Sequence, residues 1–454
     1  MQTTIDSGGL SLRPLRALTV MLVAMTVRVH AQPAPQSGAA SSASAVTPVI
    51  TLSGEMRTRS EWDRPGSGVP ADMFTLLRSR LGVQVDAAQR VRIVAQVQDS
   101  RVLGAEGNPA AATAAAFGLH QGYVELHAPW RRSDIVIRAG RQEVALGNER
   151  LVGVVNWSNL GRSFDGARVT FTPAGGKPDA EPWGVSVFAA TVEERGRHFG
   201  SAASTSATAS THTSDHIVIG LFASRTLSSR IAGEMTMLAD ESGRYRGFTK
   251  ANRTTMHGRV RAPIIAGLSV DVEGAMQLGH QVDSSALALG RRQKVRAWMT
   301  GARIATSTGN AVRGALTIGV DVLSGDDSAH DAQYSTFNTL YASNHAFYGL
   351  MDVIGEPAAT TRERGLTDVL AIASWRVSSS LRPRAELHRY ALATGSERHL
   401  GWEGDVVLPI RISPAATMDI GYGTFRAGRG APQIGLGANS TVKSWAYLSL
   451  RAGF

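Results

Sequence analysis

Arginines and carboxylates alternate closely in one part of the sequence, the stretch 138–168. Three of its acidic residues, Glu143, Glu149 and Asp165, could in principle supply the paired carboxylates of a glycosidase. Each of them lies among arginines, however, and ion pairs along the wall of a polar cavity explain this interleaving better than acid–base catalysis does. The sequence therefore favours ion pairs in the wall of a polar lumen over an active site here.

Other catalytic and metal-binding patterns are absent from the sequence. The chain has no cysteine, which excludes disulfides, thiolate metal sites and a cysteine nucleophile. It also has no HExxH, GxSxG or nucleotide-binding loop. Asp326, Asp327 and Asp331 could bind Ca²⁺, but they lack the spacing and the bidentate glutamate of an EF-hand, so a solvated acidic loop is the favoured interpretation. We expect no enzymatic activity, no metal and no cofactor.

The charge balance points to anionic partners. The chain carries 47 Lys and Arg against 37 Asp and Glu, a formal charge of +10, and all but four of the basic residues are arginine. Arginine binds carboxylates and phosphates in a bidentate manner that lysine cannot match. GC-rich codon usage would enrich arginine as well, so the composition alone does not identify the partner.

The elements that must position these charges are predicted to be β-strands. Within 77–86, apolar and polar residues alternate, so that Leu81 and Val83 share one face while Arg78 and Arg80 share the other. A soluble sandwich would alternate in the same way, so strand length and connection length have to distinguish the two classes.

Eighteen strands are predicted, although sixteen is also compatible with the pattern. Each is about 10–15 residues long, enough to cross a membrane when tilted, whereas soluble strands usually run about 5–6 residues. Short and long connections alternate along the chain, as they do in outer-membrane barrels with short periplasmic turns. The predicted strand cores are 48–61, 72–86, 90–100, 118–128, 134–145, 163–172, 183–193, 214–224, 229–240, 251–262, 267–279, 291–303, 311–323, 361–377, 381–392, 400–412, 415–425 and 441–454.

The N-terminal segment is predicted to direct export. Arg13 and Arg16 precede an apolar run of eleven residues, and a small-x-small cleavage site ends at Ala31. We therefore interpret residues 1–31 as a signal peptide and the Pro-, Ser- and Ala-rich residues 32–47 as a disordered leader.

The remainder, 48–454, is predicted to be one up-and-down transmembrane β-barrel of the bacterial outer membrane. Its last strand ends on Phe454, on the apolar face of an alternating segment, and many outer-membrane barrels end on an aromatic residue in this way. A mean hydropathy of −0.07 is too low for a polytopic helical membrane protein but suits strands that face lipid on one side and water on the other.

Eight motifs follow one another in order along this region. They are LLRSRLGVQVDAAQRVRIVAQVQDSR at 76–101, LHQGYVEL at 119–126, GRQEVALGNERLVG at 140–153, NWSNLGRSFDGARV at 156–169, DVLSGDD at 321–327, FNTLYASNHAFYGLMD at 337–352, EGDVVLPI at 403–410 and GYGTF at 421–425. Together they resemble the alginate export family of outer-membrane barrels. The resemblance implies a monomeric barrel of eighteen strands with an arginine-rich, electropositive pore, through which an anionic uronate polysaccharide leaves the cell.

Candidate pore-lining residues come from two sources. Strand phase places one set of arginines on the inward face: Arg78, Arg80, Arg92, Arg138, Arg168 and Arg384. The family-like motifs add Arg141, Arg150 and Arg162, with Asp99, Glu143, Glu149 and Asp165 as their expected partners. A series of guanidinium groups would attract a polyanion while neighbouring carboxylates weaken each contact, which is what conduction needs. For each residue alone, a structural salt bridge in the barrel wall is the alternative.

Two functions remain open on this basis. The first is passive export of an alginate-like polysaccharide beside a periplasmic synthesis and export machinery. The alternative is a general or anion-selective porin for diffusion or uptake of small solutes, and a surface adhesion or structural barrel is a weaker third possibility. The expected partners are thus an anionic polysaccharide or small anions and the outer-membrane lipid, and no nucleic acid.

One feature departs from what the resemblance implies. The family is expected to carry a sizeable periplasmic loop between the third-last and second-last strands that can plug the pore, but here this turn, near Ser413 and Pro414, is very short. The long, aromatic-rich connection 324–360 is predicted to fold over or into the mouth of the barrel from outside.

Overall fold

A computed structural model shows a closed β-barrel. The structure describes residues 47–66, 70–104, 116–131, 133–173, 184–192, 216–226, 231–245, 248–282, 292–307, 314–328 and 331–454. The predicted signal peptide and nearly all of the predicted leader lie outside these residues and stay predictions. No helix in the described ranges is long and apolar enough to cross a bilayer.

The described residues form nineteen strands, of which eighteen are long and make the barrel. In chain order the strands are β1 (Val49–Arg64), β2 (Asp72–Ala88), β3 (Val91–Leu103), β4 (Ala116–Trp130), β5 (Ser133–Gln142), β6 (Phe164–Pro173), β7 (Gly184–Val192), β8 (His216–Thr226), β9 (Ala232–Tyr245), β10 (Phe248–Ile265), β11 (Leu268–Val282), β12 (Arg292–Ser307), β13 (Gly314–Leu323), the two-residue β14 (Gln333–Tyr334), β15 (Leu366–Trp375), β16 (Arg384–Leu392), β17 (His399–Ser413), β18 (Ala416–Ala427) and β19 (Val442–Gly453).

Each long strand pairs antiparallel with its neighbours in the chain, and β1 pairs with both β2 and β19, which closes the ring. β13 pairs directly with β15, because the two-residue β14 lies in the connection between them and pairs in parallel with β12. The predicted eighteen-stranded antiparallel barrel is therefore confirmed. The largest differences in boundaries are at the end of β9, which reaches Tyr245 rather than 240, and at the start of β15, which is Leu366 rather than 361. β15 starts later because a short helix, α1 (Pro357–Thr360), and a turn precede it.

Side chains alternate between the two faces of the barrel wall. In the paired strands β1 and β2, Arg57 lies opposite Arg78 and both are buried, while Met56 and Leu81 on the opposite face are exposed. Exposed leucine, isoleucine, valine and methionine recur on this outer face around the barrel, as expected for a surface that meets lipid.

The connections differ in length at the two ends of the barrel. At one end they are brief, including 89–90, 266–267 and 414–415, and at the other they include the long segments 143–163 and 324–365. Short turns mark the periplasmic end of such barrels and long loops the extracellular end. The turn at 414–415 is only two residues long, as the sequence predicts.

Two of the long loops fold into the barrel rather than away from it. We call residues 143–163 loop A and residues 324–365 loop B; the structure describes all of loop A and residues 324–328 and 331–365 of loop B. The amide of Gly153 in loop A donates to the carbonyl of Tyr341 in loop B, and the amide of Tyr341 donates back to Leu151. The expectation that the long connection 324–360 enters the mouth of the barrel agrees with this placement.

The loops and the inner wall share a hydrophobic core. Its buried members from loop A are Val144, Leu146, Leu151 and Val152, those from loop B include Phe337, Tyr348 and Ile354, and those from the wall include Phe188, Val218, Leu238, Met299, Leu323 and Phe425. Burial of this apolar surface gives the two loops a defined position, since about 25 cal/mol is gained for each Å² removed from water.

Candidate functional site

The arginines of β1 and β2 form the contact between the wall and the tip of loop A. Arg57 donates to the carbonyl oxygens of Asn156 and Ser158 at 2.7 and 3.0 Å, and Arg78 donates to the same two carbonyls at 3.1 and 3.2 Å. Arg59 donates to the carbonyl of Trp157 at 2.7 Å, with its Cζ 3.7 Å from the centre of the Trp157 indole ring. These guanidinium groups anchor a loop, and Arg78 is only 1% exposed.

Arg80, also on the inward face, lies beside the start of loop A. Its Nε donates to Gln98 at 2.7 Å, and its Nη1 lies 3.5 Å from a carboxylate oxygen of Glu143. His120 Nε2 is hydrogen bonded to the same oxygen at 2.7 Å. Burial opposes the charged form of Glu143, but the bond from His120 and the nearby guanidinium of Arg80 hold the pKa of this carboxyl below its usual range. Glu143 is therefore an anion at the start of loop A that bonds the wall, rather than a proton donor.

A row of charged side chains crosses four strands of the inner wall closer to the periplasmic end. The strand register places Arg92 on β3 opposite Glu125 on β4, Glu125 opposite Arg138 on β5, and Arg138 opposite Arg168 on β6. We call these four residues the arginine row. Glu125 accepts from Arg138 at 2.6 Å and lies 3.5 Å from Arg92.

The arginine row is a part of the inner wall where several guanidinium groups meet water. The side chains of Arg92 and Arg138 are 37% and 28% exposed. Arg168 donates to the hydroxyl of Ser186 at 3.1 Å and has no carboxylate partner within the described part of the chain. Arg92 and Arg138 share the buried Glu125, and Asp86 bonds Arg92 at the edge of the row. Three arginines against two carboxylates leave the row with an excess of positive charge.

Arg150, in loop A, is buried against the opposite side of the barrel. Its guanidinium donates to Glu273 of β11 at 2.6 Å and to Asp321 of β13 at 2.7 Å. Arg303 of β12 bonds both of these carboxylates, and His257 of β10 lies 3.2 Å from Glu273. Burial disfavours the charged form of Arg150, yet the adjacent carboxylates raise the pKa of its guanidinium well above the ordinary value. This network fixes loop A to the wall.

Loop B contacts the part of the wall formed by β15, β16 and β17. The acidic sector is the set of buried carboxylates on these strands: Asp368, Glu386, Glu403 and Asp405. Glu403 accepts from the amide of Met351 at 3.0 Å and Asp405 from that of Leu350 at 3.4 Å. The hydroxyl of Tyr390 donates to the carbonyl of Tyr348 at 2.8 Å. The loop approaches so closely that a Cβ at Gly349, where φ is +83°, would lie 2.1 Å from Glu403, so only glycine fits.

Three predicted site residues lie on the outer face of the barrel. Arg141 bonds Asp165 at 2.7 Å across β5 and β6, on the face opposite to that of Arg138 and Arg168. Asp99 bonds Arg101, two residues along the same strand, at 2.9 Å. The prediction that these residues line the pore is wrong because side chains alternate along a strand: Arg141 is an odd number of residues from Arg138 and must point the other way.

The remaining predicted residues have structural contacts. Glu149 accepts from the amide of Val154 at 3.1 Å and from the hydroxyl of Ser343, and Arg162 donates to backbone carbonyls that include that of Tyr341. Arg384 faces inward and bonds Glu386, two residues along β16, at 2.7 Å. Glu143, Glu149 and Asp165 do not converge, so no glycosidase-like carboxylate pair forms among them.

The structure also contains functional candidates that the sequence analysis missed. Arg57 and Arg59 lie in phase with Glu55 and Glu61 on β1, and the same two-residue alternation that identifies Arg78 would have identified them. The acidic sector has a similar signal in β17, where the buried carboxylates Glu403 and Asp405 are two residues apart. Within the described ranges, no group of three or more histidine, aspartate or glutamate side chains is arranged to hold a metal ion.

A closed antiparallel barrel with an apolar outer face and a charged interior defines an outer-membrane channel of the porin type. Among solved structures, the chain is similar to OpdO and to OccK8 (OprE), both from Pseudomonas aeruginosa, with TM-scores of 0.58, sequence identities of 12% and 13%, and coverage of 89% of this chain and 97% and 98% of theirs. OccAB1 of Acinetobacter baumannii gives the same TM-score at 12% identity, covering 89% of this chain and 97% of that one.

The chain belongs to the alginate export family, since residues 49–399 match the family described as "Alginate export". The resemblance noted in the sequence is thereby confirmed, and the bacterial outer membrane is its location. The family and the fold are those of channels rather than of enzymes. Comparison with curated protein sequences gives no match.

Proposed function

We propose that this outer-membrane channel carries an anionic, uronate-type polysaccharide out of the cell and that the arginine row is the part of the lumen that selects it. The single observation that supports this most strongly is the excess of partly exposed guanidinium groups in the row. Uronate polymers carry one carboxylate per sugar, and guanidinium groups bind carboxylates with two parallel hydrogen bonds.

The position of the row suits export. It lies nearer the periplasmic end of the strands, with Arg92 the second residue after the short turn 89–90. A polymer delivered from a periplasmic synthesis machinery would meet this row before it reached loops A and B. Glu125 competes for the same guanidinium groups, which keeps each contact with the polymer weak enough to be released.

An aromatic side chain adds a second kind of contact. The Cζ atom of Arg138 lies 4.2 Å from the centre of the Tyr123 ring, whose side chain is on the same inward face as Glu125. A guanidinium stacked on an aromatic ring keeps its edge available for hydrogen bonds. We infer that Tyr123 holds Arg138 in the orientation that a carboxylate would need.

The second candidate function is a porin for small anionic solutes. It is favoured by the two loops that enter the barrel and share a hydrophobic core with the wall, because a lumen narrowed in this way suits small molecules. Both candidates need the same positively charged row, so they differ in the size of what passes.

Single-channel recording in planar bilayers tests the selectivity. The double variant Arg138→Gln/Arg168→Gln removes two inward charges, and Arg101→Gln/Arg141→Gln removes two charges from the outer face as a matched control. We expect wild-type channels to conduct anions in preference to cations. The inward variant should lose this preference and approach the selectivity of a neutral pore, while the control should behave like wild type. An inward variant with unchanged selectivity would contradict the proposal.

Current block by uronates then separates the two functions. We expect oligouronates of six or more sugars to block the wild-type current from the periplasmic side at low concentration, with block weakened about tenfold in the inward variant, equivalent to roughly 1.4 kcal/mol. A monomeric uronate that passes freely while the oligomers neither block nor pass would favour the porin instead.

A further inference from the structure

A cluster of arginines lies on the outer face of the barrel, where the surface is otherwise apolar. Strand register places Arg389 of β16 opposite Trp402 of β17, and Trp402 opposite Arg426 of β18. Trp402 is 44% exposed, and its neighbours along this transverse row are the exposed valines Val369 and Val442. The row is therefore on the face that meets lipid.

The row lies at the extracellular ends of its strands. The chain turns at 393–398 just beyond β16, and the loop 428–441 follows β18, at the same end as loops A and B. Arg398, Arg429 and His399 come from these ends and line, together with the row, a cavity of about 660 Å³. We call Arg389, Arg398, Arg426 and Arg429, with Trp402, the rim cluster.

The positive charge of the rim cluster is not neutralised. Arg389, Arg426 and Arg429 form no salt bridge with any residue in the part of the chain that the structure describes, and Arg398 donates to the carbonyl of Leu392 at 2.8 Å. Glu397 is the one carboxylate among the residues that line the cavity. Four guanidinium groups against one carboxylate leave a charge of about +3 in a single depression.

The surface toward the membrane centre from the rim cluster is apolar, and the lack of a side chain at Gly404 leaves a shallow depression in it. Leu387, which is exposed, lies opposite Gly404, and a Cβ placed on Gly404 would meet nothing closer than a backbone oxygen at 4.0 Å. Val406 and Tyr422 lie opposite each other on the next exposed row. The site thus has a cationic upper part and an apolar lower part.

We propose that the rim cluster binds a phosphorylated glycolipid of the outer leaflet, with its phosphate on the arginines and an acyl chain along the depression over Gly404. A phosphate accepts bidentate hydrogen bonds from arginine, and basic pockets beside membrane-spanning segments bind anionic head groups. Trp402 marks the level of the interface, where tryptophan is enriched.

The extracellular position of the cluster identifies the occupant. Phosphorylated, multiply acylated glycolipids form the outer leaflet of this kind of membrane, so the cavity faces them directly. A soluble phosphate would satisfy the arginines but would leave the apolar depression unfilled. The proposal concerns the outer face of the barrel and is independent of what passes through the lumen.

Native mass spectrometry of the full barrel in detergent tests this, with bisphosphorylated lipid A as the probe. We expect wild-type protein to retain bisphosphorylated lipid A, and the triple variant Arg389→Gln/Arg426→Gln/Arg429→Gln to bind it at least about tenfold more weakly. The matched control Arg376→Gln/Arg382→Gln/Arg411→Gln removes three exposed arginines from the periplasmic end and should bind like wild type. Heat-modifiable migration and unchanged conductance show that each variant is folded.

Two further probes distinguish the source of the phosphate. Wild-type protein should bind dephosphorylated lipid A about as weakly as the triple variant binds bisphosphorylated lipid A. Inorganic phosphate, added at the same concentration as the lipid, should not displace bound lipid A from wild type. Equal affinity of wild type for both lipids, equal loss in both triple variants, or displacement by free phosphate would each overturn the assignment.

Discussion

Arginine has two different environments inside this barrel, and they imply different roles. Arg57, Arg78 and Arg150 are buried, and their hydrogen bonds end on carbonyls of loop A or on carboxylates of the wall. Arg92 and Arg138 keep part of their surface in the lumen. The buried set determines where loop A lies, while the exposed set is available to a passing anion.

Arg150 provides the sharpest test of the anchoring role. In Arg150→Met, Glu273 and Asp321 lose a shared partner in a site from which water is excluded, and breaking such a buried pair costs about 3–5 kcal/mol. We expect Arg150→Met to unfold in micelles at a lower urea concentration than wild type. Its single-channel currents should also be larger or noisier, because loop A detaches from the wall. Because Arg303 still bonds both carboxylates, we expect the loss of stability to lie near the lower end of that range.

The control for Arg150→Met is a pair on the outer face. Arg101 bonds Asp99 with its side chain 62% exposed, and ion pairs of this kind contribute well under about 1 kcal/mol. Arg101→Gln should therefore leave both the unfolding midpoint and the conductance near wild type. If the two variants lost the same stability, the Arg150 network would not be what holds loop A.

Because successive side chains of a strand point to opposite faces, one strand can present apolar side chains to lipid and charged side chains to the lumen. The middle of β2 carries Leu81, 53% exposed on the outer face, directly beside Arg80 on the inner one. A one-residue shift of register would exchange these environments, so the two-residue period strongly specifies the pairing. The same alternation places Arg141 and Asp165 on the outer face despite their position among family-like motifs.

Substitution of Leu81 by arginine tests the assignment of the faces. A charge on the lipid face near the middle of the membrane costs about 2–4 kcal/mol, so refolding of Leu81→Arg into lipid vesicles should show that loss of stability. Gln96→Arg is the matched control, because Gln96 lies opposite Gly82 at nearly the same depth but faces the lumen. A smaller loss for Leu81→Arg than for Gln96→Arg would mean that the faces are assigned the wrong way round.

The closed ring of strands has a consequence for association. β1 pairs along its length with β2 and along ten residues with β19, so the strands that the structure describes close into a ring and leave no edge strand to which a second copy could add along its whole length. We expect a monomer, and light scattering coupled to size exclusion should give the mass of one chain after subtraction of detergent. A stable dimer or trimer at micromolar concentration would contradict this expectation.

The inner wall is asymmetric in charge. Arginines predominate on β1 to β6, where they contact loop A or form the arginine row. Carboxylates predominate on β15 to β17, where they accept hydrogen bonds from backbone amides of loop B. A field directed across the lumen would orient an anion toward the arginine side. The barrel thus positions each loop against the wall sector that complements it.

The sequence was sufficient for the class of fold and for much of the wall. Eighteen alternating segments predicted the barrel, because strand phase is a local property that needs only a few successive residues. For the same reason the inward placement of Arg78, Arg92, Arg138 and Arg168 agrees with the register. Strand phase would also have placed Arg141 on the outer face, but Arg141 was assigned to the pore because it belongs to a family-like motif.

The two-residue alternation of strands does not predict contacts between segments that are far apart in the chain. Arg150 meets Glu273 and Asp321, which are 123 and 171 residues away in the chain. Arg78 has the predicted face but is covered by the carbonyls of loop A. Which arginines remain open to the lumen and which hold a loop depends on how loops A and B fold into the barrel, and long-range packing of irregular segments leaves no periodic signal in the sequence.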